Sequence, residues 1–203
     1  MKLNLFHIKK YYNGTAVLCG VSHTFESGKF YVIKGVSGSG KSTLLNIIGG
    51  LDRDFEGEIT PDGNLTEWRT GYVFQNSLLL SGITVAENLL MIKNDNKKIR
   101  TLAAQLGVDG LLTKYPEQIS GGERQRISIL RMLLREPEVI LMDEPTASLD
   151  AANSERIAEL AAGLKCEEEK NASTERIVII ATHEYYFDRL ADEIIFLDYG
   201  LLR

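Results

Sequence analysis

Cysteine is scarce in this chain, with only Cys19 and Cys166 present among 203 residues. Their spacing fits neither a disulfide framework nor a cysteine metal site. The opening segment MKLNLFHIKKYYNG contains no long apolar stretch of the kind that a secretory signal needs. These features argue against a disulfide-stabilised secreted domain and favour a reducing, cytosolic environment.

Long hydrophobic runs and an excess of basic residues are also missing. No window approaches the roughly 20 apolar residues of a membrane helix, so any action at a membrane requires another chain to span it. The formal net charge of −5 argues against a nucleic-acid-binding protein, although a local basic patch is compatible with that total. With 44% hydrophobic and 25% charged residues, the composition is that of one globular domain with a substantial core.

Short apolar runs alternate with helical segments, and this alternation predicts an α/β fold with a mainly parallel sheet. A helix is predicted over STLLNIIGGL, ending near Gly49 and Gly50 because glycine favours a C-terminal cap. The predicted strands are residues 30–35, 71–74, 139–143, 177–182 and 193–198.

The middle of the chain has a helical pattern from about residue 77 to residue 135. Its segments TVAE and SGGE both have the spacing of a capping box, which starts helices. We therefore predict one domain over residues 1–203, with a core of about 1–75 and 136–203 and an inserted helical subdomain of about 76–135. The charged run at 165–174 predicts a solvated loop.

A glycine-rich loop follows the first predicted parallel strand and directly precedes a helix. It satisfies the pattern G-x-x-x-x-G-K-[ST], in which backbone N–H groups and a helix N-terminus hold phosphate. Lys41 can reach the terminal phosphates and the Ser42 hydroxyl can hold Mg²⁺. The alternative, a purely structural glycine turn, does not account for this strand and helix context. The predicted phosphate-binding residues are Gly35, Val36, Ser37, Gly38, Ser39, Gly40, Lys41, Ser42 and Thr43.

Polar residues end three further strands of the predicted sheet. Asp143 can reach the Mg²⁺ shell, and Glu144 is a candidate base for the water that attacks the γ-phosphate, unless it only caps the next helix. His183 ends another strand, at the edge where parallel sheets bind ligands, although a lone histidine is often only a packing or surface residue. Gln75 follows a third strand, and its amide can contact both Mg²⁺ and water.

A second glycine-rich helix start, ISGGERQR, comprises Ser120, Gly121, Gly122 and Glu123. Ser120 and Glu123 have the spacing of a capping box. Two glycines in a first turn cost helix stability, which makes sense where another backbone or a phosphate approaches closely. One nucleotide needs one phosphate loop, so this second helix start suggests a site that another copy of the chain completes.

In this order and register the motifs resemble those of the nucleotide-binding subunits of ATP-binding-cassette (ABC) transporters, over nearly the whole chain. The resemblance implies a P-loop nucleoside-triphosphatase core with a small N-terminal antiparallel layer. It also implies a head-to-tail dimer, expected to be of two identical copies, that holds ATP and Mg²⁺ between each phosphate loop and the partner's residues 120–123. Tyr11, or its close competitor Tyr12, would stack on adenine, and Asp150 would lie across the dimer interface.

The resemblance is strongest to the branch associated with lipoprotein release, macrolide export and bacteriocin export. It implies ATP hydrolysis that drives a separate transmembrane permease, in the direction of export, from the inner face of the membrane. The alternatives are a force-transmitting ATPase at the membrane that transports nothing, and a soluble ABC ATPase acting on nucleic acid or ribosomes. Two departures are a shortened segment at 57–75, which puts the antiparallel layer in question, and the ending DYGLLR without the usual C-terminal helix.

Overall fold

The main sheet of the protein, in a computed structural model that describes residues 1–62, 68–169 and 172–202, contains six strands. Their spatial order is β11-β10-β3-β9-β6-β5. All neighbouring strands are parallel except β10 and β11, which are antiparallel. The predicted parallel sheet is confirmed, with strand bounds within about one residue of those expected. The strands are β3 (Phe30–Lys34), β5 (Thr70–Val73), β6 (Val139–Asp143), β9 (Ile177–Ala181), β10 (Glu193–Asp198) and β11 (Leu201–Leu202).

A second, antiparallel sheet covers one side of the molecule. It consists of β1 (Lys2–Tyr12), β2 (Thr15–Glu26) and β4 (Glu56–Pro61), in the order β2-β1-β4. The shortened segment after residue 57 therefore leaves the antiparallel layer intact, because β4 still pairs with β1. Residues 63–67 of that segment lie outside the described residues.

Four of the five α-helices in the described residues start at a side-chain cap. Thr84 and Ser120 each form the predicted capping box, with Glu87 and Glu123 respectively. The segment between β5 and β6 in the chain carries three helices and two 3₁₀ turns. The α-helices are α1 (Lys41–Ile48), α2 (Val85–Leu90), α3 (Asn96–Gln105), α4 (Gly121–Leu133) and α5 (Ala151–Gly163), and the 3₁₀ turns are Asp109–Leu111 and Pro116–Gln118.

The central strands are buried on both faces, as parallel strands usually are. Val32, Ile140 and Ile180 belong to a core shared with the helical insertion and α5. Their neighbours Ile33 and Leu141 belong to a second core, shared with α1 and the antiparallel sheet. Side chains alternate between the faces of a strand, so the continuous apolar runs of β6 and β9 build two cores and hold their C-terminal ends rigidly.

Within the charged run at 165–174, the described residues form two paired strands, so the prediction of a loop is wrong. β7 (Cys166–Glu169) pairs antiparallel with β8 (Ala172–Glu175), and Cys166 lies opposite Glu175. Strand pairing satisfies backbone groups and depends on context, and a count of charges does not detect it.

None of the helices in the described residues is both long enough and apolar enough to cross a membrane. The longest, α4 and α5, have 13 residues each.

Candidate functional site

A cleft of about 640 Å³ lies at the C-terminal ends of the parallel strands. It brings together the phosphate loop and the polar residues predicted at the ends of three other strand segments, apart from Asp143. Open α/β sheets bind ligands at this edge. The lining residues are Tyr12, Val17, Val36, Ser37, Gly38, Gly40, Lys41, Ser42, Thr43, Gln75, Glu144, Ala147 and His183.

The phosphate loop connects β3 to α1. Gly40, the N-cap of α1, has φ 102°, which a residue with a Cβ rarely adopts. The loop is closed by a hydrogen bond of 3.1 Å from the Ser39 N–H to the Val36 carbonyl. The buried Lys41 ammonium donates to the Gly35 carbonyl at 2.8 Å and to the Val36 carbonyl at 3.2 Å. The lysine is therefore held at the loop that it is predicted to serve.

Gly35 has no room for a side chain. A Cβ at this position would lie 2.4 Å from the Leu197 carbonyl oxygen and 2.6 Å from Ser39 Oγ. The first of these is a backbone atom of β10, which cannot move without disturbing the sheet. The absence of a Cβ at Gly35 lets the phosphate loop pack directly against the strand edge.

We predict that Gly35→Ala destabilises the fold by about 1–3 kcal/mol, because overpacking a rigid site costs that much. For a chain of this size the loss corresponds to a fall in Tm of roughly 5 °C. Gly110→Ala is the matched control, since a Cβ there meets nothing within 4 Å. Thermal unfolding followed by circular dichroism measures both variants, and equal Tm values would contradict the steric argument.

Asp143 ends β6 beside the phosphate loop. Burial is the main reason that its pKa is raised, the adjacent Glu144 adds to the shift, and hydrogen bonding to Ser42 opposes it. Its Oδ1 atom is buried and has no hydrogen-bond partner among the described residues. A buried carboxylate oxygen that lacks a donor suits a cation, and Mg²⁺ prefers oxygen ligands. The Asp143 and Ser42 side chains therefore fit a magnesium site.

Glu144 has a backbone conformation that few residues with a side chain adopt. Its φ is 44°, and its N–H donates to the Ala181 carbonyl at 2.8 Å. The carboxylate Oε2 accepts from the Thr182 hydroxyl at 3.0 Å, and Oε1 lies 3.0 Å from His183 Nδ1. Strain of this kind costs of order 1–3 kcal/mol and tends to occur at functional sites. Asp150, and not Glu144, caps α5, so the capping alternative does not explain Glu144.

His183 and Glu144 differ in accessibility. The His183 side chain is 68% exposed and the Glu144 side chain is 16% exposed. The cleft therefore contains a mostly buried carboxylate beside an exposed imidazole, and a ligand can reach the imidazole directly. Thr182, which is fully buried, was missed from the sequence because a threonine at a strand end carries no chemical signature.

Tyr12, and not the predicted Tyr11, lines the cleft. The two are consecutive on β1, where successive side chains point to opposite faces, so a strand can direct only one of them at a ligand. The pairing of β1 with β2 shifts register between Lys10 and Tyr11, and the sequence alone does not show which of the two tyrosines points at the cleft. The contact with adenine stays a prediction, which passes from Tyr11 to Tyr12.

Among the described residues that line this cleft, none belongs to the segment 120–123. Ser120 Oγ accepts from the Glu123 N–H at 3.3 Å, and the Ser120 N–H donates to Glu123 Oε2 at 2.7 Å. A Cβ on Gly122 would lie 2.7 Å from Asn153 Oδ1, so one close approach that the glycines permit is to α5 of the same chain. Asp150 accepts from the Asn153 N–H at 2.8 Å and from Asn153 Nδ2 at 2.9 Å.

A phosphate loop between a buried strand and a helix, with an acidic pair at the end of the parallel strand β6, defines a P-loop nucleoside-triphosphatase. The chain belongs to the ABC transporter family, whose model matches residues 18–147. The predicted resemblance to ABC ATP-binding subunits, which are ATPases, is thereby confirmed.

The relatives described next match all or nearly all of the chain. It is 36% identical over 225 aligned residues to the putative hemin import ATP-binding protein HrtA of Staphylococcus saprophyticus, covering 100% of this chain and 99% of the relative. It is 38% identical over 212 residues to the tungstate uptake system ATP-binding protein TupC of Peptoclostridium acidaminophilum, covering 98% and 96%. These names describe import or uptake, so they do not support the predicted export direction.

Solved structures agree with the fold. An ATP-binding cassette determined as a dimer in a post-hydrolysis state, bound to ADP and phosphate, aligns with a TM-score of 0.79 and 30% sequence identity. The alignment covers 99% of this chain and 96% of that one. A second dimeric structure of the same cassette, described as a bacterial ABC transporter cassette, has a TM-score of 0.81 over the same shares of the two chains.

Proposed function

We propose that this chain hydrolyses ATP with Mg²⁺ in a head-to-tail dimer and thereby drives a separate transmembrane permease. The observation that carries the proposal is the convergence of Lys41, Ser42, Gln75, Glu144 and His183 on one cleft. These side chains come from four separate segments of the chain, and each matches one requirement of phosphoryl transfer.

Each residue has a defined part in the proposed mechanism. Lys41 leaves the loop carbonyls to pair with the terminal phosphates of ATP and stabilise the charge that develops there. Glu144 Oε1 accepts a proton from, or orients, the attacking water, while the Thr182 hydroxyl holds Oε2. His183, the exposed partner of Glu144, contacts the γ-phosphate. Tyr12 stacks on the base.

Ser42, Gln75 and Asp143 would hold Mg²⁺. The free Oδ1 of Asp143 and its position beside Ser42 support this assignment. When bound, the ion neutralises charge on the β- and γ-phosphate oxygens.

The helix start at Ser120–Glu123 serves the ATP of the other subunit in this proposal. Its capping box orders the first turn, and it does not line the cleft of its own chain. The dimeric state of the solved relatives supports the same arrangement. A homodimer is the simplest form, because one chain supplies both halves of each site.

A groove of about 350 Å³ between the β5 edge and α4 is the proposed docking site for the permease. Its rim carries exposed apolar side chains, Leu51 at 58% and Leu78 at 56%. The Arg131 guanidinium of α4 donates to the Leu78 carbonyl, so this rim is tied to the helix that starts at Ser120. A displacement of the groove by its partner can therefore affect both Gln75, which is three residues from Leu78, and the proposed dimer interface.

The docking proposal predicts that Leu78→Glu reduces capture of a multispanning membrane protein from detergent-solubilised membranes at least about tenfold. A charge at the rim would be desolvated on docking, while the cleft and its ATPase activity stay unchanged. Phe6→Glu is the control, since Phe6 is 51% exposed on the antiparallel sheet.

Two results would count against a permease partner. One is equal recovery of the membrane protein by both variants, and the other is recovery of ribosomes or nucleic acid in its place. The direction of transport stays a prediction, and flux measured in vesicles with the recovered partner would decide between export and the import suggested by the relatives.

A further inference from the structure

Lys10 is a buried cation on β1 that the mechanism above does not use. It is 3% exposed, although lysine is almost never buried without partners. Its ammonium lies 2.9 Å from Asp52 Oδ1 and 3.3 Å from Asp54 Oδ2, and it also donates to the Asp54 carbonyl. The charge is therefore fully paired at the junction of the antiparallel sheet and the loop after α1.

Asp52 and Lys10 also contact the Tyr12 side chain. The Tyr12 hydroxyl donates to Asp52 Oδ2 at 3.0 Å, and the Lys10 ammonium lies over the ring, 4.9 Å from its centroid. A cation at that distance from an aromatic face is attracted to it. One contact fixes the tip of the side chain and the other occupies a face of the ring, which leaves the opposite face to receive a base.

Asp52 also connects this ring to the phosphate loop. The loop that carries Asp52 is bonded back to α1, because the Leu51 and Asp52 N–H groups donate to the Asn46 carbonyl at 2.8 and 3.1 Å. Helix α1 begins at Lys41. The platform for the base and the phosphate loop are thus joined through one short helix.

Stability alone is a weak reason for such an arrangement. A buried ion pair is often no more stabilising than well-packed apolar residues of the same volume. Here the polar groups contact both the hydroxyl and one face of a half-exposed aromatic ring, and they thereby restrict its orientation.

We propose that Lys10 and Asp52 are positioning residues that fix Tyr12 as the stacking platform for the nucleobase, at a set distance from the phosphate loop. This inference rests on the proposed function, in which Tyr12 contacts the base of ATP. Neither residue touches the nucleotide, and both act through the tyrosine ring.

The test compares ADP with pyrophosphate, which lacks the base, in the full-length chain with Mg²⁺. Asp52→Ala and Lys10→Met should each raise the Kd for ADP about fivefold, and change the Kd for pyrophosphate less than about twofold. Isothermal titration calorimetry gives both constants. Lys9→Met is the matched control on the same strand, because the Lys9 side chain is 42% exposed and its ammonium lies 3.6 Å from Glu56 Oε2.

Tyr12→Phe provides a second measurement should the charge variants fold poorly. It removes only the hydroxyl that bonds Asp52 and should weaken ADP binding in the same selective way, by about threefold. Equal weakening of ADP and pyrophosphate, or no weakening of either, overturns the positioning role.

Tyr12→Ala separates this inference from the proposed function. If Tyr12→Ala weakens ADP selectively while the Asp52, Lys10 and Tyr12→Phe variants behave as wild type, only the positioning inference fails. If Tyr12→Ala itself leaves the ratio of the two Kd values unchanged, the base does not bind at Tyr12, and the proposed base contact fails as well.

Discussion

Replacing Glu144 by Gln is expected to reduce steady-state ATP hydrolysis at least about hundredfold while ATP still binds. The amide cannot take a proton from water, but it has the size of the carboxylate. It can also keep one hydrogen bond to Thr182, whose hydroxyl lies 3.0 Å from Glu144 Oε2. The variant should therefore fold, close on ATP and stop before hydrolysis, so that an ATP-bound dimer accumulates.

The measurements are phosphate release and size-exclusion chromatography with ATP and Mg²⁺. Glu138→Gln is the matched control, because Glu138 precedes the other end of the same strand β6 and pairs with Arg69 on the surface. Hydrolysis by Glu144→Gln at the wild-type rate would show that the base is wrongly assigned.

Two inactive variants are expected to restore activity when they are mixed, which is the second large effect. Lys41→Met removes the ammonium of the phosphate loop, and Ser120→Arg places a large side chain at the proposed dimer face. Each variant alone disables both sites of a symmetric dimer. A mixed dimer combines the intact loop of one chain with the intact Ser120 helix start of the other, and so has one working site.

The size of the recovery follows from the symmetry. Random exchange makes about half of the dimers mixed, and each has one site of two intact, so about a quarter of the wild-type rate is the upper limit. If each chain used its own residues 120–123, no mixture would recover any activity. ATPase assays over a series of mixing ratios distinguish the two cases.

Loss of a helix cap is the simpler explanation that this experiment must exclude. The Ser120 side chain accepts from the Glu123 N–H, and its removal costs about 1 kcal/mol. Thr84 forms the same capping box on α2, so Thr84→Arg loses an equivalent cap away from the proposed dimer face. That control should hydrolyse ATP by itself at nearly the wild-type rate.

Much of the nucleotide cleft could be predicted from local patterns, because its chemistry comes from residues at strand ends. The run VILMDE predicts a buried strand that presents two carboxylates, and β6 has that form. The phosphate loop could be predicted equally well, since its glycines, lysine and serine lie within eight consecutive residues.

Contacts between distant segments could not be predicted in this way. Asp52 and Tyr12 are 40 residues apart, and no pattern in either segment indicates that one holds the other. The choice between Tyr11 and Tyr12 depends on which face of β1 meets the cleft, and the pairing with β2 shifts register between Lys10 and Tyr11. The pairing of β7 with β8 was missed for a related reason, because a run of charged residues carries no pattern that reveals backbone pairing.

A Cβ on Gly122 would lie 2.7 Å from Asn153 Oδ1, so the starts of α4 and α5 form one closely packed block. Asp150 caps α5 six residues after Glu144, the proposed base of the chain's own cleft. In the proposed dimer, a displacement at Glu144 would shift this block and with it the serine–glycine turn that the neighbour uses. The two ATP molecules would then be consumed in a correlated order.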